Sequence, residues 1–239
     1  MMLIPKNHPC GGLDLWRLAA PFGLSLGLVF ACSALTAQEL VWQRPSEQWS
    51  AADAKQILEN SPWVRQQVIR NSVCGTGANR EIEDIFTVRL LSAKPIRRAY
   101  ARLSEIANGG VPAAVPAGHQ ISELEAPPDR IVVGVSFHSD DVQRTMSLWQ
   151  FFRSQTTAWM KWNAVLSTNR IGRVSLSQYI PPSPQNGEIR FLFPASIKGE
   201  PLLAKRDKEL RFRMWVPPNQ SLRVTWDVKA LGQESGVEY

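Results

Sequence analysis

The chain has few of the side chains that most often carry reactions. Its 239 residues include only three cysteines and three histidines. Cys10, Cys32 and His8 fall in the N-terminal stretch, so the body keeps Cys74, His119 and His138. One thiol excludes an internal disulfide in the body. Two histidines 19 positions apart, with no cysteine pair and no His-x-x-x-His, leave no zinc pattern. The glycines of "NSVCGTGANR" are not followed by Lys-Ser or Lys-Thr, which removes a phosphate cradle. A Gly-x-Ser-x-Gly elbow is also missing, as is any repeat of solenoid length. No metal or cofactor is expected.

Apolar surface is plentiful. A hydrophobic fraction of 44% in a chain of this size is enough for a single real core, with no break in composition that divides the body. Lys6 and Arg17 precede the uncharged run "LAAPFGLSLGLVFACSALTA", whose small-residue end has the pattern of a secretory signal peptide over residues 1–37. Two cleavage readings compete: after Ala37, or before Cys32 with lipidation of that cysteine. Val29 and Phe30 stand where lipoprotein boxes prefer Leu and a small residue, and a retained anchor is a third reading. All three readings export the chain to the periplasm or cell envelope. Loss of residues 1–37 removes Lys6, Arg17 and Asp14, which takes 27 basic and 21 acidic residues to 25 and 20. The body stays basic by +5, suited to anionic neighbours.

Residues 38–239 read as one α+β domain. "WSAADAKQILENSPW" begins with a capping box, Ser50 and Asp53, and ends before Pro62, giving a short helix clamped by Trp49 and Trp63 over residues 49–63. "KPIRRAYARLSEIANGG" places Ile96, Ala99, Tyr100, Leu103 and Ile106 on one helical face and ends at Gly109–Gly110. Alternation marks strands at 85–93 and 130–138, and the intervening helix suggests a right-handed crossover between parallel neighbours. A further helix is capped by Ser139, Asp140 and Asp141, with Val142, Met146, Trp149 and Phe152 turned inward. Residues 156–166 fit strand and helix equally. "RVSLSQYI", "EIRFLFP", "ELRFRMWV" and "SLRVTWDVKAL" predict a C-terminal antiparallel meander on a mixed to antiparallel sheet packed against two main helices. Ile189, Phe191, Phe193, Leu210, Phe212, Met214, Leu222, Val224, Trp226 and Val228 should face inward, and Arg211, Arg213, Arg223, Asp227 and Lys229 outward.

The candidate binding residues are basic and aromatic. Arg97, Arg98 and Arg102 lie on the outer part of the 94–107 helix, and the sheet adds Arg211, Arg213 and Arg223; guanidinium groups hold carboxylate or phosphate bidentately. Trp49 and Trp63 could instead offer an exposed pair to a glycan or peptide. A hydrolase reading rests on His138, or His119, as base, with Asp140 and Asp141 as nearby carboxylates. Neighbours at a strand-to-helix turn point in different directions, which favours capping for the "HSDD" run.

The spacing of "WSAADAKQILENSPW", "RLLSAKPIRRAYARL" and "FLFPASIKGEPLLAKRDKELRF" resembles a family of uncharacterised secreted envelope proteins of acidobacterial type. That resemblance implies an exported envelope protein and supplies no catalytic residue. The function expected is a non-enzymatic envelope module that binds a protein, an acidic glycan or an anionic membrane surface, with no nucleic acid; the alternative is an envelope hydrolase.

Overall fold

Residues 40–74, 79–109, 129–184 and 187–232 are described by the structure, a computed structural model. The leader with Cys32, and His119, lie outside the described residues. The fold is mixed α+β with antiparallel sheets.

Two single turns of 3₁₀ helix, Val41–Gln43 and Ser46–Gln48, lead into α1 (Ala51–Glu59). The Ser50 hydroxyl accepts from the Asp53 amide at 3.1 Å while the Asp53 carboxylate accepts from the Ser50 amide at 2.9 Å. This reciprocal box satisfies two orphan donors of the first turn. Ala54, Ile57 and Leu58 are buried, and Trp49 (2% exposed) and Trp63 (5%) close over the helix ends. Trp49 donates its indole N–H to the Arg44 carbonyl, and Trp63 meets Trp42 edge to face at 6.0 Å.

β1 (Val64–Cys74) and β2 (Asn79–Leu90) form a long antiparallel hairpin, pairing from Val64–Arg89 to Cys74–Asn79. The "NSVC" segment is therefore the end of β1. α2 (Lys94–Ala107) follows, with Pro95 in its first turn and Gly109 at φ 71° beyond its end, a conformation that costs a glycine little. β3 (Arg130–Ser139) pairs with β2, but antiparallel: Leu90 lies opposite Val133 and Asp84 opposite Ser139. The expected parallel crossover is thus corrected. After α2 the chain re-enters the sheet beside the end at which β2 left it, so no crossover to the far end takes place.

α3 (Val142–Ser154) is capped by Asp141, whose carboxylate accepts from the Arg144 amide at 2.8 Å. Its inner residues are Leu148 and Phe152, whereas Val142 is 71% exposed and Met146 is also exposed. Phe152 is inward as expected and meets Phe137 at 5.5 Å, but it is joined by Leu148 in place of Val142 and Met146, so the inward face is rotated from the one expected. Residues 156–166 satisfy both readings in turn: α4 (Thr157–Asn163) passes directly into β4 (Ala164–Thr168). β5 (Gln178–Ile180), β6 (Ile189–Pro194), the short β7 (Ser196–Ile197) and β8 (Glu200–Pro201), β9 (Glu209–Val216), β10 (Gln220–Asp227) and α5 (Val228–Leu231) complete the order.

The C-terminal runs do not form one meander. β5 and β6 join a five-stranded sheet of order β1-β2-β3-β6-β5, while β9 and β10 join β4 in a three-stranded sheet of order β10-β9-β4. The division follows from sequence 195–208, which carries β7, β8 and a turn that separates β6 from β9. All ten C-terminal residues expected inside are buried, from Ile189 to Val228. Phe191 of one sheet meets Phe212 of the other at 5.2 Å, so the core lies between the two sheets.

The sheets also meet at their edges. On one side the Gln67 side chain accepts from the Arg223 amide (2.6 Å) and donates to the Ser221 carbonyl, while Arg65 donates to the Thr225 carbonyl at 3.0 Å. At β4, Leu166 forms a single bridge with Val174, in the segment that leads to β5. Side chains of β1 thus occupy the open edge groups of β10, which would otherwise be free to pair with another chain. α1 and α2 pack against each other.

Candidate functional site

Strand alternation that buries Leu210, Phe212, Met214, Leu222 and Val224 must turn their neighbours to solvent. On the outer face of β4-β9-β10, Val165, Arg213 and Arg223 lie in one row and Ser167, Arg211 and Thr225 in the next. These residues, with Gly172, line an open depression of about 440 Å³. Arg213 faces Arg223 directly across the ladder. Like charges in that position destabilise a sheet by about 0.2–1 kcal/mol, an arrangement stability alone does not select.

The three arginines are unequally engaged. Arg211 pairs with Glu209 on its own strand, and Arg223 donates to the Ser221 hydroxyl at 3.3 Å. The Arg213 side chain has no hydrogen-bond or ion-pair partner among the described residues. Beyond Arg213 along β9, Trp215 stands on the same outer face and closes a cluster with Phe151 (5.5 Å) and Trp159 (5.7 Å). Trp162, 79% exposed at the end of α4, is stacked by Arg173, the residue after Gly172. At the opposite end of the face Glu209 lies across from Asp227, so the basic strip is closed by carboxylates.

The α2 arginines are placed differently from the expectation. Arg97 is buried (6% exposed), and Arg98 and Arg102 are half-buried. Arg102 donates to the Trp49 carbonyl at 2.9 Å and pairs with Glu105 at 3.2 Å. α1 and its leading tryptophan pack against α2, and this brings positions beside the apolar stripe into the interface. Trp49 and Trp63 are likewise buried and present no aromatic pair to solvent.

The "HSDD" run serves the helix start. Asp141 caps α3 and pairs with Arg80 at 3.4 Å; Asp140 accepts from the Glu83 amide at 3.1 Å. His138 is exposed, its imidazole has no hydrogen-bond or ion-pair partner among the described residues, and it is not among the residues lining the depression. No group of three or more His, Cys, Asp or Glu able to hold a metal ion occurs among the described residues.

Two buried charge clusters lie elsewhere. Asp84, fully buried, pairs with Arg144 at 2.8 Å and accepts from Asn71 at 2.9 Å. Glu188 pairs with Arg89 at 3.2 Å, and Arg89 also reaches the Ser136 hydroxyl and the Leu58 carbonyl at the end of α1. Burial pushes the Glu188 carboxyl up, against the pull of Arg89 and Arg190. Gly134 lies between Arg89 and Arg190 in the ladder, and a Cβ there would stand 2.7 Å from the Glu188 carboxyl carbon. These clusters tie α1 and α3 to the sheets.

Sequence alternation had already marked Arg211, Arg213 and Arg223 as outward. It gave no sign of the Trp215–Trp159–Phe151 ledge, whose members are far apart in the chain. No family model, no curated protein and no solved structure matches the chain.

Proposed function

We propose that the protein is an exported, non-enzymatic envelope module that holds an anionic ligand on the outer face of β4-β9-β10. The observation that carries this reading is the Arg213–Arg223 cross-strand pair inside an open depression that also includes Arg211. Two opposed guanidinium groups repel each other until an oxyanion lies between them, and each then gains charge-assisted hydrogen bonds. The basic balance of the body and the leader-like N-terminus support an envelope setting, where acidic partners are common. A hydrolase centred on His138 has no support in its surroundings, since neither a hydroxyl nor a carboxylate reaches the imidazole.

The test is thermal unfolding of the purified protein across a series of inorganic phosphate and sulfate concentrations. The wild-type chain is stabilised saturably, as expected for a ligand that binds only the folded state. The Arg213→Ala/Arg223→Ala variant loses that response. Equal stabilisation of both proteins overturns the reading. Intact mass of the envelope form separates cleavage after Ala37 from lipidation at Cys32.

A further inference from the structure

We infer that the ligand of this face is an acidic polysaccharide, bound along β9 with its sugar rings against the Trp215 ledge and its carboxylate or sulfate groups on Arg213 and Arg223. The inference rests on the anion-binding reading above and specifies its ligand. Three observations lead to it.

First, the basic strip continues into an aromatic one. Trp215 and Arg213 stand two positions apart on one strand face, about 7 Å along the strand. An extended chain passing over both meets an apolar ring and a guanidinium in succession. Indole faces suit the apolar sides of pyranose rings, and Trp215 is held by Trp159, edge to face at 5.7 Å, and by Phe151, tilted at 5.5 Å. Second, the depression mixes its cations with the hydroxyls of Ser167 and Thr225, which complement neutral sugar hydroxyls as well as charged groups. It is open to solvent and lined from three neighbouring strands, so a segment of a longer chain can lie across it.

Third, the far end of the strip is acidic. Glu209 lies opposite Asp227 in the row next to Arg211 and Thr225. A phosphodiester strand carries a charge at every unit, and an anionic bilayer presents a continuous charged plane; both would bring phosphates onto these carboxylates. A glycan with spaced anionic groups can place a neutral sugar there.

The experiment is calorimetric titration of the purified full chain with six probes: a uronic-acid oligosaccharide, a sulfated oligosaccharide, a neutral oligosaccharide of matched length, inorganic phosphate, single-stranded DNA, and vesicles containing acidic phospholipid. The same titrations are run on Arg213→Ala and on Trp215→Leu, with circular dichroism to check folding. Binding is expected to one or both acidic oligosaccharides and more weakly to phosphate, with no binding to the neutral one. Arg213→Ala should weaken the oligosaccharide by about tenfold or more, from loss of charge-assisted hydrogen bonds. Trp215→Leu should weaken it by about threefold to tenfold while leaving phosphate affinity unchanged. If Trp215→Leu does not fold, the indole N–H resonance of Trp215 in the wild-type protein carries the comparison, expected to shift with the acidic oligosaccharide and not with phosphate; no shift with the oligosaccharide overturns the ledge's role. Phosphate, DNA or vesicles binding as tightly as the oligosaccharides overturns the glycan assignment and leaves the anionic face standing. Absence of binding to every anion overturns both.

Discussion

Arg213 and Arg223 face each other across the β9–β10 ladder, on a sheet face where neither is neutralised by a carboxylate of the opposite strand. A residue pair of this kind lowers stability in the free protein and becomes favourable only with an anion between its members. The fold supports the arrangement rigidly. β9 is the central strand of its sheet, and the other edge of β10 is held by Gln67 and Arg65.

Relief of that repulsion is measurable without any ligand. Arg213→Ala in low salt should raise the unfolding free energy by about 0.2–1 kcal/mol, and the gain should shrink as salt screens the pair. Chemical denaturation at two ionic strengths checks this. A loss of stability at low salt would show that Arg213 is held by structure, not kept for binding.

Asp84 tests the opposite case, a charge whose removal leaves its partner stranded. Asp84→Ala leaves the half-buried Arg144 guanidinium and the Asn71 amide without their shared carboxylate, and a loss of about 3–5 kcal/mol is expected. Arg144→Met in the same background should recover part of that loss in equilibrium denaturation, because it removes the unpaired charge.

Glu188 should impose a pH dependence of defined sign. Its folded carboxyl titrates above the ordinary value because burial disfavours the charge. Its contribution is therefore fully present below the unfolded carboxylate range and is lost as pH rises through the raised folded value. Glu188→Gln keeps an acceptor for Arg89 and removes the titration. Its stability relative to wild type should rise between pH 4 and neutrality, starting from about the reference value near 4.3. A flat difference across that range would contradict the burial of the charge.

The N-terminal clamp is expected to act through packing. Trp49→Ala empties a fully enclosed site and removes the indole N–H that the Arg44 carbonyl accepts, for a cost of about 3–5 kcal/mol. Ser50→Ala removes only one half of the capping box and should cost about 1 kcal/mol. Neither change should alter anion binding at the sheet, as titration of the purified variants would show.

Local rules were legible where local physics decides. Ser50 and Asp53 announced α1, Gly109 announced the end of α2, and alternation placed Phe191, Phe212 and Trp226 inside. Features set by distant segments were not. The antiparallel pairing of β2 with β3 depends on the path of the chain after α2, and a strand–helix–strand pattern is compatible with either direction. The burial of Arg97 depends on neighbours that a helical wheel does not show. At the candidate site, the outward aim of Arg213 and Arg223 was readable from each strand alone. Their direct opposition was not, because it requires the β9–β10 register set by the turn at 217–219.

The most direct measurement is amide-resolved nuclear magnetic resonance of the purified protein titrated with an acidic oligosaccharide. The account predicts saturable shifts concentrated at Ser167, Arg211, Arg213, Arg223 and Thr225, joined by the Trp215 indole. Shifts centred on α2 or His138, or none at the outer face of β4-β9-β10, would contradict it.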